Sequence, residues 1–197
     1  MLEELEHKIK MTGHVLITDK TSNEIILDQN NAVNFEAASY ALALSLARQN
    51  VGGVYVGPIE SMVFGNGGTS VNGVGVVTYL DKNVTGLNAT LYNQTYSKIV
   101  DPNNPQNSDP TDNYVNAVHV SGNLFSDVVV ICTLEFGEPA TQMPLDNDTS
   151  MNDNFIFDEL GIVNYNGNLL TYVNFHPVQK SANRIFQVQY TLRIALV

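Results

Sequence analysis

The tightest constraint on this chain comes from its last strand-length segment. Phe186, Val188, Tyr190, Leu192, Ile194 and Leu196 occupy every second position, with Gln187, Gln189, Thr191 and Arg193 between them. A period of two puts each set on its own face of an extended strand, so the segment predicts a β-strand with one apolar and one wet face. A helix would scatter the same residues around its circumference. With no polar tail after Val197, this strand is expected to be an aggregation-prone edge unless a sheet or a neighbouring subunit covers it.

Other segments carry related signals. Asn166-Gly167 is a strong hairpin turn that places Phe155–Tyr165 beside Asn168–Phe175. Gly13–Asp19 and Glu24–Asp28 flank the polar turn Lys20–Asn23 and read as a second hairpin. Asp127–Phe136 is β-branched with apolar residues on both faces, which predicts a central, doubly covered strand. Shorter strands are expected at Ile59–Phe64, Val74–Leu80 and Thr95–Val100. One helix is expected, at about residues 34–48: Phe35, Ala38, Leu42 and Leu46 recur at helical spacing, Asn34 can cap the start, and Gly52-Gly53 stop it. His176-Pro177 reads as a strand-end turn. The whole predicts a mainly β chain, a β-sandwich of antiparallel strands with one α-helix near its beginning. Residues 1–12 are expected to form an arm or a short helix, and 13–197 a single domain with long loops near 101–113, the segment expected to be most mobile, and 138–154.

Composition excludes several classes. Charged residues make up 15% of the chain, against a usual ~25%, and 24 Asn with 14 Thr and 14 Gly replace them. Asn and Gly favour turns and Thr favours strands, while the aliphatic and aromatic content excludes disorder. No apolar run reaches the ~18 residues of a membrane-crossing helix. The net charge is −11, and Ile99–Gln179 carries all of it, with eleven acids and no Lys or Arg. Such a surface repels phosphate, so direct nucleic-acid binding is not expected. Cys132, the only cysteine, can form no internal disulfide, and no hydrophobic signal segment opens the chain; a reducing cytoplasm is the expected place of assembly.

Candidate chemistry is sparse. Asp146 and Asp148, with Asn147, Ser150, Asn152 and Asn154, are oxygen-rich, but Met151 replaces the turn glycine and Phe157 the bidentate Glu of a calcium loop. They are loop-cation candidates beside the blander reading of a solvated acidic loop. Gly65-Asn66-Gly67-Gly68 demands unusual backbone angles and offers N–H groups, yet no Lys-Ser/Thr follows to make a phosphate loop. Cys132 sits mid-strand, where a thiol is a small apolar filler. His7, His14, His119 and His176 show no ligand spacing. Asp158 and Glu159 are a carboxylate pair suited to hydrolysis, but adjacent strand residues point to opposite faces, so at most one is expected to face a given cleft. Four Asn-X-Thr sequons, at Asn83, Asn88, Asn93 and Asn147, match chance. No metal or cofactor is expected.

Five motifs in order carry a resemblance: Phe64-Gly65-Asn66-Gly67-Gly68-Thr69, Leu91-Tyr92-Asn93-Gln94-Thr95-Tyr96, Phe157-Asp158-Glu159-Leu160-Gly161, Asn166-Gly167-Asn168-Leu169-Leu170, and Phe175-His176-Pro177-Val178-Gln179-Lys180. The series, within Ile59–Val197, resembles virion structural proteins of tailed bacteriophages, tail- and collar-associated proteins among them. Gln94 stands where that pattern often has Glu, and Ile162 where it has Leu. The resemblance implies a non-enzymatic building block at the tail, baseplate or neck, or a capsid decoration protein. It implies contact with other virion proteins and a homo-oligomer, a cyclic trimer among the options. Gly65, Asn66, Gly67, Gly68, Glu159, Gly161, Pro177 and Lys180 are its motif residues. The competing reading is a carbohydrate- or receptor-binding β-sandwich using exposed tyrosines such as Tyr92, Tyr96 or Tyr114; a hydrolase built on Asp158 or Glu159 ranks last.

Overall fold

The alternating carboxyl-terminal segment does form a strand, but an interior one. In the computed structural model, which describes residues 8–140 and 155–197, β13 (Phe186–Leu196) pairs along its length with β1 (Ile9–Asp19) on one side and β10 (Phe125–Leu134) on the other. Its backbone groups are therefore used on both edges. The sheet itself supplies the cover that this strand was expected to need; alternation reports the two faces of a strand and says nothing of its neighbours. Val188 and Tyr190 are buried, while Gln189 and Arg193 are exposed. Burying each large apolar side chain stabilises the fold by roughly 1.5–3 kcal/mol.

The described residues are mainly β, as the patterning predicts, with one short helix among them. One antiparallel nine-stranded sheet runs in the order β8-β5-β11-β12-β2-β1-β13-β10-β9. The remaining members are β2 (Glu24–Val33), β5 (Ile59–Gly65), β8 (Gln94–Ile99), β9 (Tyr114–Val118), β11 (Ile156–Asn164) and β12 (Leu169–Gln179). Its two halves pair where Thr171 and Tyr172 of β12 meet Val33 and Ala32 of β2, and the Asn34 amide adds a bond to the Leu170 carbonyl at 2.9 Å. The sheet curls into a sandwich-like form, and one core cluster draws Val15, Val130 and Tyr190 from one half and Met62, Leu160 and Val173 from the other. Two small ribbons stand apart, β3 (Asn50–Val51) with β4 (Val54–Tyr55), and β6 (Thr69–Val71) with β7 (Val77–Tyr79).

Both predicted hairpins form. In β1–β2 the turn includes Asn23 at φ 60°, and the Asp19 carboxylate accepts from the amides of Thr21 and Ser22. In β11–β12 the Asn164 side chain accepts from the amides of Asn166 (3.1 Å) and Asn168 (2.9 Å) while Gly167 takes φ +77°. Helix α1 spans Phe35–Leu46, capped by Asn34 Oδ1, which accepts from the Ala37 amide. Its inner face is Ala37, Ala38, Ala41 and Leu44, whereas Phe35 and Leu46 are exposed. Small side chains let the helix lie close to the sheet, so packing distance set the phase that periodicity misread. The helix ends before Gly52-Gly53, with Arg48 at φ 50°; the two glycines form the β3–β4 turn.

Three further expectations are corrected. Residues 9–12 belong to β1 rather than to an arm, since β13 offers them a pairing edge. The Asp127–Phe136 strand is β10, next to the sheet edge; its apolar second half is covered by the core. His176-Pro177 lies inside β12, where the pairing with β11 shifts between Phe157 and Glu159, and proline is tolerated where the ladder is already interrupted. Segment 101–113 is folded into successive turns held by Asp101, Asn104, Asn107 and Asp109 side chains accepting backbone amides two residues on.

Candidate functional site

The two carboxylates that the sequence singles out lie in β11, a strand buried along most of its length. Asp158 is 2% exposed and Glu159 0%. A buried carboxylate needs donors, and a glycine-rich turn supplies them. Asp158 Oδ1 accepts from the Gly68 amide (2.9 Å), and Oδ2 from the amide (2.9 Å) and hydroxyl of Thr69. Glu159 Oε1 accepts from the amides of Asn93 (2.8 Å) and Gly67 (3.1 Å), and Oε2 from that of Tyr92 (3.0 Å). The N–H groups of Gly67 and Gly68 are therefore occupied by the chain's own anions.

This arrangement corrects one expectation, that the glycines answer a demand for unusual backbone angles. Adjacent strand residues ordinarily diverge, yet both carboxylates meet one turn, because the β11–β12 register slips at Asp158 and the turn wraps around the strand. Gly65, Gly67 and Gly68 do not adopt positive φ; they are required by space. A Cβ on Gly65 would lie 2.6 Å from Glu159 Oε1 and collide with the Asn93 carbonyl, and one on Gly68 would lie 2.9 Å from Glu159 Cβ. Asn66 completes the knot: its amide donates to the Asn93 carbonyl (3.1 Å), and its Oδ1 accepts from Asn93 Nδ2 (2.5 Å). Asn174 Nδ2 ties in the Leu80 carbonyl at 2.8 Å.

The electrostatics suit a structural clasp. Burial pushes the Asp158 carboxyl above its usual range, against the opposing bonds from Thr69 and Gly68. Tyr172, fully buried, meets Tyr92 edge-on at 6.2 Å, and burial together with the charge of Glu159 raises its phenol. Three donors converge on each carboxylate, so both acids serve as anchors for the segments that supply those donors. Neither Asp158 nor Glu159 lines the principal clefts formed by the described residues.

The other motif residues separate from this knot. Gly161 lies two residues along β11, where a Cβ would strike the Thr171 carbonyl and come within 2.6 Å of Leu169 Cδ1. Pro177 sits at the β12 irregularity. Lys180, fully buried, forms a second node beyond the end of β12: Nζ donates to the carbonyls of Glu138 (2.8 Å), Glu135 (2.9 Å) and Ser181 (3.3 Å). Burial lowers its ammonium to about 8, with Glu138 and Glu135 opposing. Glu138 also pairs with Lys98 on β8 and accepts from the Glu135 amide at 2.9 Å.

The cation candidates Asp146 and Asp148 lie outside the described residues. His14 pairs with Asp28 at 2.7 Å, His119 contacts Ser126, and His176 contacts the Pro177 carbonyl; no two of these histidines meet. Cys132 is fully buried, which pushes its thiol up to about 12. No group of three His, Cys, Asp or Glu among the described residues is placed to hold a metal, and none of their helices is long and apolar enough to cross a membrane.

An open cleft of about 700 Å³ lies elsewhere, walled by Tyr55, Pro58, Pro102, Pro105 and Tyr165, with Asp101 at its margin. Tyr165 donates its hydroxyl to Asp101 Oδ2 at 2.8 Å, and burial with that contact raises the phenol to about 12. Arg48 orients Tyr55, donating to its hydroxyl at 2.7 Å. Tyr96 and Tyr114 are half-buried and Tyr92 is exposed, and none of the three lines this cleft. Sequence reasoning missed the clasp, although both halves were visible: two acids inside an apolar strand, and a turn with N–H groups to give. Compared with protein-family models, curated proteins and solved structures, the chain matches none.

Proposed function

We propose that this chain is a non-enzymatic structural component of a tailed-phage virion. It assembles through protein–protein contacts at the tail, baseplate or neck, with its copies made in the bacterial cytoplasm. One observation carries the reading: the most reactive-looking groups, Asp158 and Glu159, are consumed as internal acceptors that pin a glycine-rich turn to the sheet. That use fits a chain whose task is to hold a shape. The five-motif resemblance supplies the virion setting, and the clasp explains three of its motifs together, since Gly65–Thr69, Leu91–Asn93 and Asp158-Glu159 are one hydrogen-bonded unit. The acidic balance of Ile99–Gln179, which holds no Lys or Arg, suits a position away from packaged DNA.

Mass spectrometry of purified particles from an infected host tests this. A few to tens of copies per particle support a tail, baseplate or neck position, and hundreds favour capsid decoration. Absence from the particle refutes the proposal. The second reading, a carbohydrate- or receptor-binding module, draws on the Tyr55–Tyr165 cleft, whose aromatic and proline walls and carboxylate margin are of the kind that hold a sugar ring. Glycan-array binding that disappears in Tyr55→Ala would favour it.

A further inference from the structure

An open sheet has two edges, and here they differ. The β8 edge is guarded: its pairing with β5 is broken by an irregularity at Gly65, and Lys98 on it is buried and held by Glu138. Inward charge and irregular pairing are devices that keep other strands away. The β9 edge has neither. Tyr114-Val115-Asn116-Ala117-Val118 pairs with β10 in unbroken register and contains no proline, lysine or bulge. Among the described residues, no hydrogen bond reaches its outer backbone edge. It is continuous with exposed apolar residues, Val118 (44%), Val120 (62%) and Leu124 (72%).

We propose that β9 docks a second copy of this chain, the two β9 strands pairing antiparallel about Asn116 to continue the sheet across a two-fold axis. Two features select a second copy as the occupant. The first is charge: a chain of net charge −11 repels its copies, and they meet at least cost where no charge stands. Asn113–Ser126 carries none, and the following Asp127 is neutralised by Arg193 through two 2.8 Å bonds. The second is self-complementarity. Val115 packs on the core, so strand alternation sets Tyr114, Asn116 and Val118 on the outer face. Reversal about Asn116 then sets each Tyr114 against the other copy's Val118, an aromatic–β-branched pair of the favourable kind, and each Asn116 against its own mate. Such an isologous contact closes on itself and leaves the guarded β8 edges outermost. The proposal deepens the structural role above by naming the surface through which copies meet.

Sedimentation velocity of the full chain at micromolar concentration is expected to give a dimer. Asn116→Lys sets like charges directly opposite one another and abolishes it, with an unchanged far-ultraviolet circular dichroism spectrum showing that the fold survives. Asn116→Cys, mildly oxidised, is expected to give a covalent dimer, because directly opposed Cβ atoms lie ~4.5–5.5 Å apart and Cys132 is buried. Val118→Cys, facing Tyr114, gives none. A monomeric wild type, a dimer that withstands Asn116→Lys, or cross-linking by Val118→Cys in place of Asn116→Cys overturns the proposal. A dimer found for a chain absent from phage particles leaves this contact standing and removes the virion role; a monomer found within particles does the reverse.

Discussion

Replacing Glu159 with Gln changes one atom and tests the clasp directly. Three backbone amides, of Gly67, Tyr92 and Asn93, converge on this buried carboxylate at 2.8–3.1 Å. An amide side chain keeps one acceptor oxygen and turns the other into a donor. With the oxygen kept toward Gly67 and Asn93, the new NH₂ faces the Tyr92 amide, donor against donor. Hydrogen bonds to charged groups are worth ~1.5–3 kcal/mol each, about twice a neutral bond. The lost bond and the weakening of the other two come to roughly 3–5 kcal/mol, and relief from burying a charge returns part of it, leaving about 2–4 kcal/mol. With an unfolding entropy of ~2.1 cal/mol/K per residue, a chain of this length has about 0.4 kcal/mol/K, so Tm falls by about 5–10 °C. Calorimetry reads that shift, and amide exchange reads its location: Gly67, Tyr92 and Asn93 lose protection first. Glu24→Gln, at an exposed position, stays within ~0.5 kcal/mol. If Glu159→Gln melts within about 2 °C of the wild type with those amides still protected, the clasp does not hold the turn.

Other predictions follow from single contacts. Asn34→Ala removes both the cap on Ala37 and the 2.8 Å bond from Nδ2 to the Gly86 carbonyl; it is expected to cost about 1–3 kcal/mol by urea denaturation, with a loss near zero counting against the cap. At Asp19, burial is outweighed by the Arg184 guanidinium (2.7 Å) and the Thr21 and Ser22 amides, which hold the carboxyl at about 2 instead of 3.8. The folded state therefore binds fewer protons than the unfolded one in this window. The stability this contributes is present above about 3.8 and lost as pH falls toward about 2; Arg184→Gln should flatten that part of the acid-unfolding curve, and an unchanged curve would disprove the assignment. Cys132, buried with its thiol pushed up to about 12, should resist a thiol reagent in the native protein and react at the rate of global unfolding; rapid native labelling would contradict its burial.

Local chemistry made part of this molecule legible before any coordinate. Asn166-Gly167 marked a hairpin because its turn needs the left-handed backbone that Gly167 adopts, and Asn34 marked a helix start because its side chain meets a free amide three residues on. The alternation from Phe186 to Leu196 fixed which side chains of β13 face inward. None of these signals reaches beyond its own segment. Which strands flank β13 and why Pro177 lies inside a strand were settled by long-range pairing, made through backbone groups that side-chain pattern does not encode, and which face of α1 is buried was settled by its packing on the sheet. The clasp shows the same division. The sequence supplied two acids in an apolar strand and a glycine-rich turn, far apart along the chain, and named their needs. Only the tertiary fold brought them together, because a buried anion and a turn with free N–H groups satisfy each other wherever the sheet lets them touch.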